Sequence, residues 1–237
     1  MDSIISYYFT TAKDPQGREP IKKNDPNYIK KWYDSVVSLG LQCVLFHDGF
    51  TQEFIDEFPK MRFIQVPPVP RGMQLHDWHW VVSHNYLLRH DEIENVFFTD
   101  CPDVVVVKNP FEQPEYKPEV IYCGDEPQKI NESDFMRAAL YNESLNKLPD
   151  FINILSSGKT LYNGGVLGGS RDKVLEFTQK ISELIEQVKF RRVDGTGDMA
   201  LYNYVLHKYF DPVHGEPVNS VFKQYQSERK DVWFIHK

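Results

Sequence analysis

An apolar run at residues 96–98, Val-Phe-Phe, constrains the fold of this chain more than any other segment, because Thr99 and Asp100 follow it directly. A short run without polar alternation is typical of a central parallel strand that is covered on both faces. Asp100 then lies at the carboxyl end of that strand, and Asp103 follows closely. In open α/β sheets, ligands bind in the crevice outside the carboxyl ends of the strands. The segment therefore predicts an α/β protein with a ligand site beside the two carboxylates.

Paired carboxylates at such a position suit a hard divalent cation. Asp oxygens are ligands that Mg²⁺ and Mn²⁺ prefer, and these ions commonly carry substrate phosphates as well. Pro102 fixes its own φ and biases Cys101 towards an extended conformation, so the turn is rigid and both carboxylates can converge. The alternative is that Asp100 caps the following turn and Asp103 is solvated. The sequence leaves both interpretations open.

Length, charge and cysteine content bound the class of protein. A chain of 237 residues fits a single domain. Its formal net charge of -7 offers no basic surface for a phosphate backbone, so we expect no nucleic-acid partner. Cys43, Cys101 and Cys123 are an odd number, and the first and last lie in apolar runs, which favours reduced thiols in a cytoplasmic protein. Residues 1–12 are too polar for a leader or a membrane span, so no transmembrane segment is expected.

Strand and helix patterns alternate in the first half of the chain. Three strands are predicted, at residues 4–9, 43–46 and 63–66. Asp25 as N-cap and Pro26 in the first turn open a helix after the first strand, and a longer helix at about residues 74–90 leads to the acidic strand end. The pattern is β-α-β-α-β. Residues 131–148 have only a weak helical pattern, which predicts an insertion.

The second half carries a glycine-rich segment, a second acidic helix start and a terminal histidine. The segment at residues 163–170, Asn-Gly-Gly-Val-Leu-Gly-Gly-Ser, indicates positive φ or a close approach of the backbone to a ligand, and its first three residues predict a turn. Ser170 is predicted to cap an amphipathic helix, and Asp198 lies at the start of another that Gly195 opens. His236 follows an apolar strand predicted at residues 232–235.

This order of parts resembles the GT-A type glycosyltransferases, especially the nucleotide-diphospho-sugar transferases related to glycogenin and bacterial lipopolysaccharide galactosyltransferases. The resemblance covers most of the chain and is weakest at residues 125–158. It implies a single α/β domain over residues 1–237 with a central, mostly parallel sheet flanked by helices. Residues 1–107 would form the nucleotide-binding half and residues 108–237 the acceptor-side half.

The resemblance also implies a metal site. In that family an Asp-x-Asp motif and a histidine near the C-terminus bind Mn²⁺ or Mg²⁺ together with the donor diphosphate. The matching residues here are Asp100, Asp103 and His236. Two residues rather than one separate the two carboxylates in this chain. We expect Asp103 to bind the metal directly, because it leads a second apolar run and has the better-fixed backbone.

Further site residues follow from the same resemblance. Asn163, Gly164 and Gly165 match the family segment beside the donor sugar, and Asp198 matches an acid that contacts donor and acceptor. The alternatives are an ordinary strand-joining turn for the first three and a helix N-cap for Asp198. Lys237 is expected to meet a phosphate. Thr10, Thr11 and Asp48 lie at predicted strand ends, where the nucleotide would bind.

Three histidines on the predicted helix at residues 74–90 suggest a zinc site only superficially. His76 and His79 are one turn apart, but His84 falls off their face and no cysteine is near. We therefore do not expect zinc.

The sequence predicts a metal-dependent glycosyltransferase that moves a sugar from a nucleotide-diphospho-sugar donor to a glycan or other hydroxyl acceptor, with retention favoured. Two alternatives stay open. One is a sugar-1-phosphate nucleotidyltransferase or metal-dependent phosphohydrolase that uses the same carboxylates. The other is a non-catalytic domain that binds sugar nucleotides.

Overall fold

The structure is a computed structural model that describes residues 1–11, 21–188 and 197–237. The described residues form eight strands: β1 (Asp2–Tyr8), β2 (Gln42–His47), β3 (Met61–Gln65), β4 (Asn95–Thr99), β5 (Val104–Val106), β6 (Ile121–Lys129), β7 (Thr160–Ser170) and β8 (Phe234–His236). They also form seven α-helices: α1 (Pro26–Ser38), α2 (Gln52–Asp56), α3 (Leu75–Arg89), α4 (Asp134–Ala139), α5 (Phe151–Leu155), α6 (Arg171–Gln187) and α7 (Gly197–Tyr209).

Six of the strands form one sheet in the order β3-β2-β1-β4-β7-β6. The first four are parallel to one another, and β7 runs antiparallel to both β4 and β6. The sheet is therefore mostly parallel and combines strands from both halves of the chain. This confirms the predicted α/β class and the central sheet flanked by helices.

The sheet is covered on both faces, as its continuous apolar strands predict. Successive residues of a strand point to opposite faces, so Ile4 and Phe97 belong to one buried cluster while Ile5 and Phe98 belong to the other. The first cluster includes residues of α1 and α2, and the second includes residues of α3, α6 and α7. This double cover fixes the position of the sheet edge at which the strands end.

Local sequence signals explain where several helices begin. The Asp25 side chain accepts a hydrogen bond from the Asn27 backbone N–H at 3.0 Å at the start of α1, with Pro26 in its first turn, as predicted. Ser170 stands at the N-cap position of α6, but its hydroxyl donates to the Pro118 carbonyl and does not cap the helix. That part of the prediction is wrong because a tertiary partner competes for the hydroxyl.

The predicted insertion at residues 131–148 consists of short helical turns and α4, which join β6 to β7. Buried side chains such as Met136 and Leu145 attach it to the core beside α7. It therefore forms one wall over the sheet edge.

The predicted Asn-Gly-Gly turn is wrong, since residues 163–165 lie inside the eleven-residue strand β7. The strand is irregular there: Cys123 of β6 pairs with Leu167, whereas the next residue, Gly124, pairs with Asn163. Residues 164–166 are left out of the pairing with β6, which is a bulge of the kind common beside active sites. On the other side Val166 pairs with Thr99 of β4, and the Gly165 carbonyl accepts a hydrogen bond from the Asp100 N–H at 3.0 Å. These contacts favour an extended backbone at the bulge in spite of the low strand propensity of glycine.

A small second sheet completes the fold. Strand β8 pairs antiparallel with β5, and the register sets His236 opposite Val104. The predicted strand at residues 232–235 is thus confirmed in type, but His236 lies within it and not after it. The pairing brings the C-terminal strand next to the turn that follows β4.

No helix within the described ranges combines the length and the apolar character that a membrane crossing requires.

Candidate active site

A cavity of about 530 Å³ opens at the edge of the sheet where β1 and β4 end. This volume lies in the range of about 300–1,000 Å³ that is usual for small-molecule sites. Eight of the predicted site residues line it: Asp100, Asp103, Asn163, Gly164, Gly165, Asp198, His236 and Lys237. The sequence-based site is therefore one place in three dimensions.

The turn after β4 positions the two carboxylates. Its backbone closes with a hydrogen bond from the Asp103 N–H to the Asp100 carbonyl at 3.3 Å, and the Asp100 N–H donates to the Gly165 carbonyl at 3.0 Å. The buried Cys101 thiol between them donates to the Tyr7 carbonyl at 3.4 Å. Burial raises the pKa of this thiol well above its usual range, so it stays protonated. Cys101 thus anchors the turn to β1.

Asp100 is partly buried, and its carboxylate binds a proton more tightly than an ordinary aspartate does. Burial, with Asp103 and Asp198 adding negative charge nearby, raises the pKa of Asp100 to about 6. His76 and a hydrogen bond from the Tyr7 hydroxyl to Asp100 Oδ1 at 3.0 Å act in the opposite direction. A carboxylate at the end of a strand with a pKa this close to neutral pH is typical of functional sites.

His236 faces the same cavity in an uncharged form. Its side chain is 2% exposed, and burial, with Lys223 as a smaller cause, lowers the pKa of His236 to about 4. Among the described residues its Nδ1 atom has no hydrogen-bond partner although it is buried. A neutral imidazole with a free nitrogen is able to act as a metal ligand.

Gly165 makes room for this imidazole. An ideal Cβ on Gly165 would lie 2.2 Å from Cε1 and 2.5 Å from Nε2 of His236, and 3.1 Å from Oδ1 of Asn163. A Cβ on Gly164 would meet only Met199 Sδ at 3.8 Å, an ordinary contact. The close approach at Gly165 is to the histidine ring, whereas the predicted approach of this segment to a ligand stays a prediction.

Asn163 and Glu126 hold each other at the cavity wall. The Asn163 amide donates to Glu126 Oε1 at 2.9 Å and its carbonyl oxygen accepts from the Gly165 N–H at 2.8 Å. Gln128 donates to the other Glu126 oxygen at 3.0 Å. Asn163 therefore fixes the bulge of β7 and orients a carboxylate that the sequence did not single out.

Asp198 lies in the first turn of α7, where the helix dipole favours a negative charge. Its Oδ1 atom is buried and has no hydrogen-bond partner among the described residues. Gly195 and Thr196, which were predicted to open this helix, lie outside the described residues. Asp198 lines the cavity, so its carboxylate lies next to any ligand that binds there.

The Lys237 ammonium already has partners within the protein. Its ammonium donates to the Pro102 carbonyl at 2.6 Å and lies 3.8 Å from Asp103 Oδ1, while its backbone N–H donates to the Asp103 carbonyl at 3.0 Å. Its contacts stabilise the turn that carries the carboxylates.

Thr10, Thr11 and Asp48 form a separate cluster. The Asp48 carboxylate accepts hydrogen bonds from the backbone N–H and the hydroxyl of both threonines, at 2.6–3.1 Å. The three residues lie together just after β1 and β2, but they are not among the described residues that line the cavity. The structure thus brings these three residues together, but apart from the eight predicted site residues that line the cavity.

Within the described part of the chain, no three His, Cys, Asp or Glu side chains are grouped closely enough to hold a metal ion. His76 lies beside Tyr7, with Nδ1 at 3.4 Å from the hydroxyl, and His79 stacks on the Tyr7 ring at 4.3 Å. His84 lies away from both, near Thr178. The donor atoms for a cation are present at the cavity, but their side chains are not drawn together.

Sequence reasoning missed Tyr7, Glu126, Lys223 and Tyr225, all of which line the cavity. Tyr7 lies within an apolar strand, and this pattern predicts a side chain in the hydrophobic core. Lys223 and Tyr225 lie in the irregular segment before β8, where no periodic pattern marks a site. Their one signal, a left-handed backbone, is visible only in the structure.

No protein-family model matches the sequence, and no curated protein matches it. Solved structures do match. The galactosyltransferase LgtC in complex with donor and acceptor sugar analogs aligns with a TM-score of 0.53 and 16% identity, over 100% of this chain and 86% of that chain. An active-site mutant of LgtC aligns with a TM-score of 0.51 and 15% identity over the same shares. The chain has a GT-A-like glycosyltransferase fold.

Proposed function

We propose that this chain is a metal-dependent glycosyltransferase that moves a hexose from a nucleotide-diphospho-sugar donor to a hydroxyl of a glycan or other acceptor, with retention of configuration. One observation carries the proposal. The carboxylates of Asp100, Asp103 and Asp198 and the uncharged imidazole of His236 face one cavity at the end of β4. In a GT-A-like fold this is the edge at which a ligand is expected.

The residues at the cavity fit Mn²⁺ or Mg²⁺ in their chemistry. Asp100 and Asp103 supply oxygen and His236 supplies an unpaired nitrogen, a donor set compatible with Mn²⁺ above all. When bound, such a cation supplies charge neutralisation for the diphosphate that leaves. Of the residues that the structure describes, four carboxylates line the cavity, from Asp100, Asp103, Glu126 and Asp198, and two lysines do, so a dianionic donor needs further positive charge.

The other residues of the site have separate roles in binding the donor and in the transfer. Asp198 acts on the sugar, because it lines the cavity and its carboxylate can stabilise the positive charge that develops at the anomeric carbon. Asn163, Gly164 and Gly165 border the donor sugar, and Asn163 also holds Glu126. Thr10, Thr11 and Asp48 bind the nucleotide beyond the cavity. In this division residues 1–107 bind the nucleotide and residues 108–237 form the acceptor side.

We also propose that the protein acts in the cytoplasm. Cys43, Cys101 and Cys123 are all buried free thiols. A reducing compartment keeps such thiols intact.

A thermal-shift screen of nucleotide sugars, with and without Mn²⁺, tests the proposal. We expect at least one donor to raise the melting temperature, and we expect the rise to need Mn²⁺. Stabilisation by sugar-1-phosphates with nucleoside triphosphates would favour a nucleotidyltransferase instead. A donor that binds but is never turned over with any acceptor would favour the binding domain.

A further inference from the structure

Among the described residues two lysines line the cavity, and they differ in what they already bind. The Lys237 ammonium donates to the Pro102 carbonyl and lies near Asp103. Lys223 makes no ion pair and no side-chain hydrogen bond with any described residue. Of the two lysines, Lys223 is thus the one whose ammonium is not already paired within the described part of the chain.

The position of the Lys223 ammonium is nevertheless defined. It lies over the Phe222 ring, 4.9 Å from the centroid, and the Phe222 ring lies 4.5 Å from the His236 ring. A cation over an aromatic face is attracted to it. These contacts hold the charge on the side of the cavity that carries His236.

The backbone at this segment adopts a conformation that the sequence does not favour. Lys223 has φ 64° and Tyr225 has φ 49°, both in the left-handed region where glycine or asparagine is the usual residue. Such conformations cluster at functional sites, where the surrounding structure maintains them. If only the turn mattered, Gly or Asn would serve better at position 223, so a lysine there requires another reason.

We infer that the ammonium of Lys223 binds the diphosphate of the nucleotide-sugar donor. This inference rests on the proposed function and names the residue that recognises the leaving group. The diphosphate enters a cavity whose carboxylates repel it, and Lys223, which has no ion-pair partner among the described residues, offsets this repulsion. It replaces Lys237, whose contacts hold the carboxylate turn, as the lysine that meets phosphate.

Lys223→Asn is the variant that tests the inference, because asparagine accepts φ 64° and removes the ammonium together with the stem that carries it. Lys223→Gly is a second neutral variant that fits the same backbone. Lys223→Arg keeps the charge. Lys230→Asn is the matched control, since Lys230 is an exposed lysine of the same segment that does not line the cavity.

The measurement is calorimetric titration with uridine, guanosine and adenosine diphosphate in Mn²⁺, beside the matching monophosphates and nucleosides. We expect both neutral variants to bind the preferred diphosphate about tenfold more weakly, the scale of one charge-assisted contact. The monophosphate should lose less, the nucleoside nothing, and the control and Lys223→Arg should bind like wild type. Melting temperatures of the neutral variants should not fall.

The outcomes separate this inference from the proposed function. If wild type binds a diphosphate and the neutral variants bind it equally well, Lys223 has no such role while the proposed function stands. If Lys223→Arg loses as much affinity as Lys223→Asn, the contact is not one of charge and the inference is wrong. If folded wild type binds none of the diphosphates with Mn²⁺, both fall.

Discussion

Gly165 and His236 are matched to each other, because the absence of a side chain at Gly165 leaves the space that the His236 ring occupies. The ring atom Cε1 lies where a side chain on Gly165 would be only 2.2 Å away. The two residues belong to different sheets, β7 and β8, and come from segments far apart in sequence. The bulge in β7 and the terminal strand therefore form one unit of the site.

This relationship predicts opposite results for two adjacent glycines. Gly165→Ala should lower the free energy of unfolding by about 1–3 kcal/mol, as overpacking does, and should weaken metal-dependent nucleotide binding because His236 is displaced. Gly164→Ala should change stability by less than about 0.5 kcal/mol, since its Cβ meets Met199 at an ordinary distance. Urea denaturation of both variants measures the difference. Equal behaviour of the two would mean that His236 is not held by this contact.

The charge on Asp100 should destabilise the folded protein when no cation is bound. Its folded-state pKa of about 6 is above the ordinary value of 3.8, so the folded protein binds more protons than the unfolded chain between these pH values. Its contribution therefore lowers stability as pH rises from about 4 to about 6, and the full cost remains above pH 6.

Asp100→Asn should remove this cost and keep the hydrogen bond from Tyr7. At pH 7, in chelator, the variant should be more stable than wild type by about 2 kcal/mol, and the difference should vanish near pH 4. Thermal melts at several pH values measure it. A constant difference across this range would show that Asp100 does not titrate as its surroundings indicate.

Asp198 separates binding from chemistry. Asp198→Asn keeps the size of the side chain and removes the charge from a carboxylate whose buried Oδ1 has no hydrogen-bond partner among the described residues, so stability should not fall. If it stabilises charge at the anomeric carbon, transfer should fall by about a hundredfold while donor affinity persists. Nucleotide release and donor titration on the same preparation test this. Undiminished transfer would leave Asp198 with a role in the start of α7 alone.

The fold was predictable because its signals are local and agree with one another. The apolar run at residues 96–98, the Asp25 and Pro26 helix start and the spacing of α6 each appear in the structure within a few residues of the prediction. The site was predictable where it follows strand ends and the family resemblance. Asp100, Asp103, Asp198 and His236 do face one cavity.

The failures have a common physical cause, which is tertiary contact. The glycines at 164 and 165 predict a turn, yet they lie in a strand: the next residue, Val166, pairs with Thr99 of β4, and the Gly165 carbonyl accepts a hydrogen bond from the Asp100 N–H. The contact of Lys237 with the Pro102 carbonyl also depends on folding, because the pairing of β8 with β5 brings the two together; its expected contact with a phosphate stays a prediction. Lys223 carries no sequence signal because its left-handed backbone and its nearness to His236 arise only on folding.

The most direct test of the central claim is nucleotide release from a panel of nucleotide sugars by wild type and Asp103→Asn, with Mn²⁺ or with chelator. Asp103→Asn removes a charge from a side chain that is half exposed, so the fold should persist. The account predicts release that needs Mn²⁺, increases with an acceptor sugar and falls at least tenfold in the variant, the scale of losing one charged metal contact. Two results would contradict the account. One is release in chelator, and by Asp103→Asn, that equals the release by wild type with Mn²⁺; the other is no release from any donor by folded wild type.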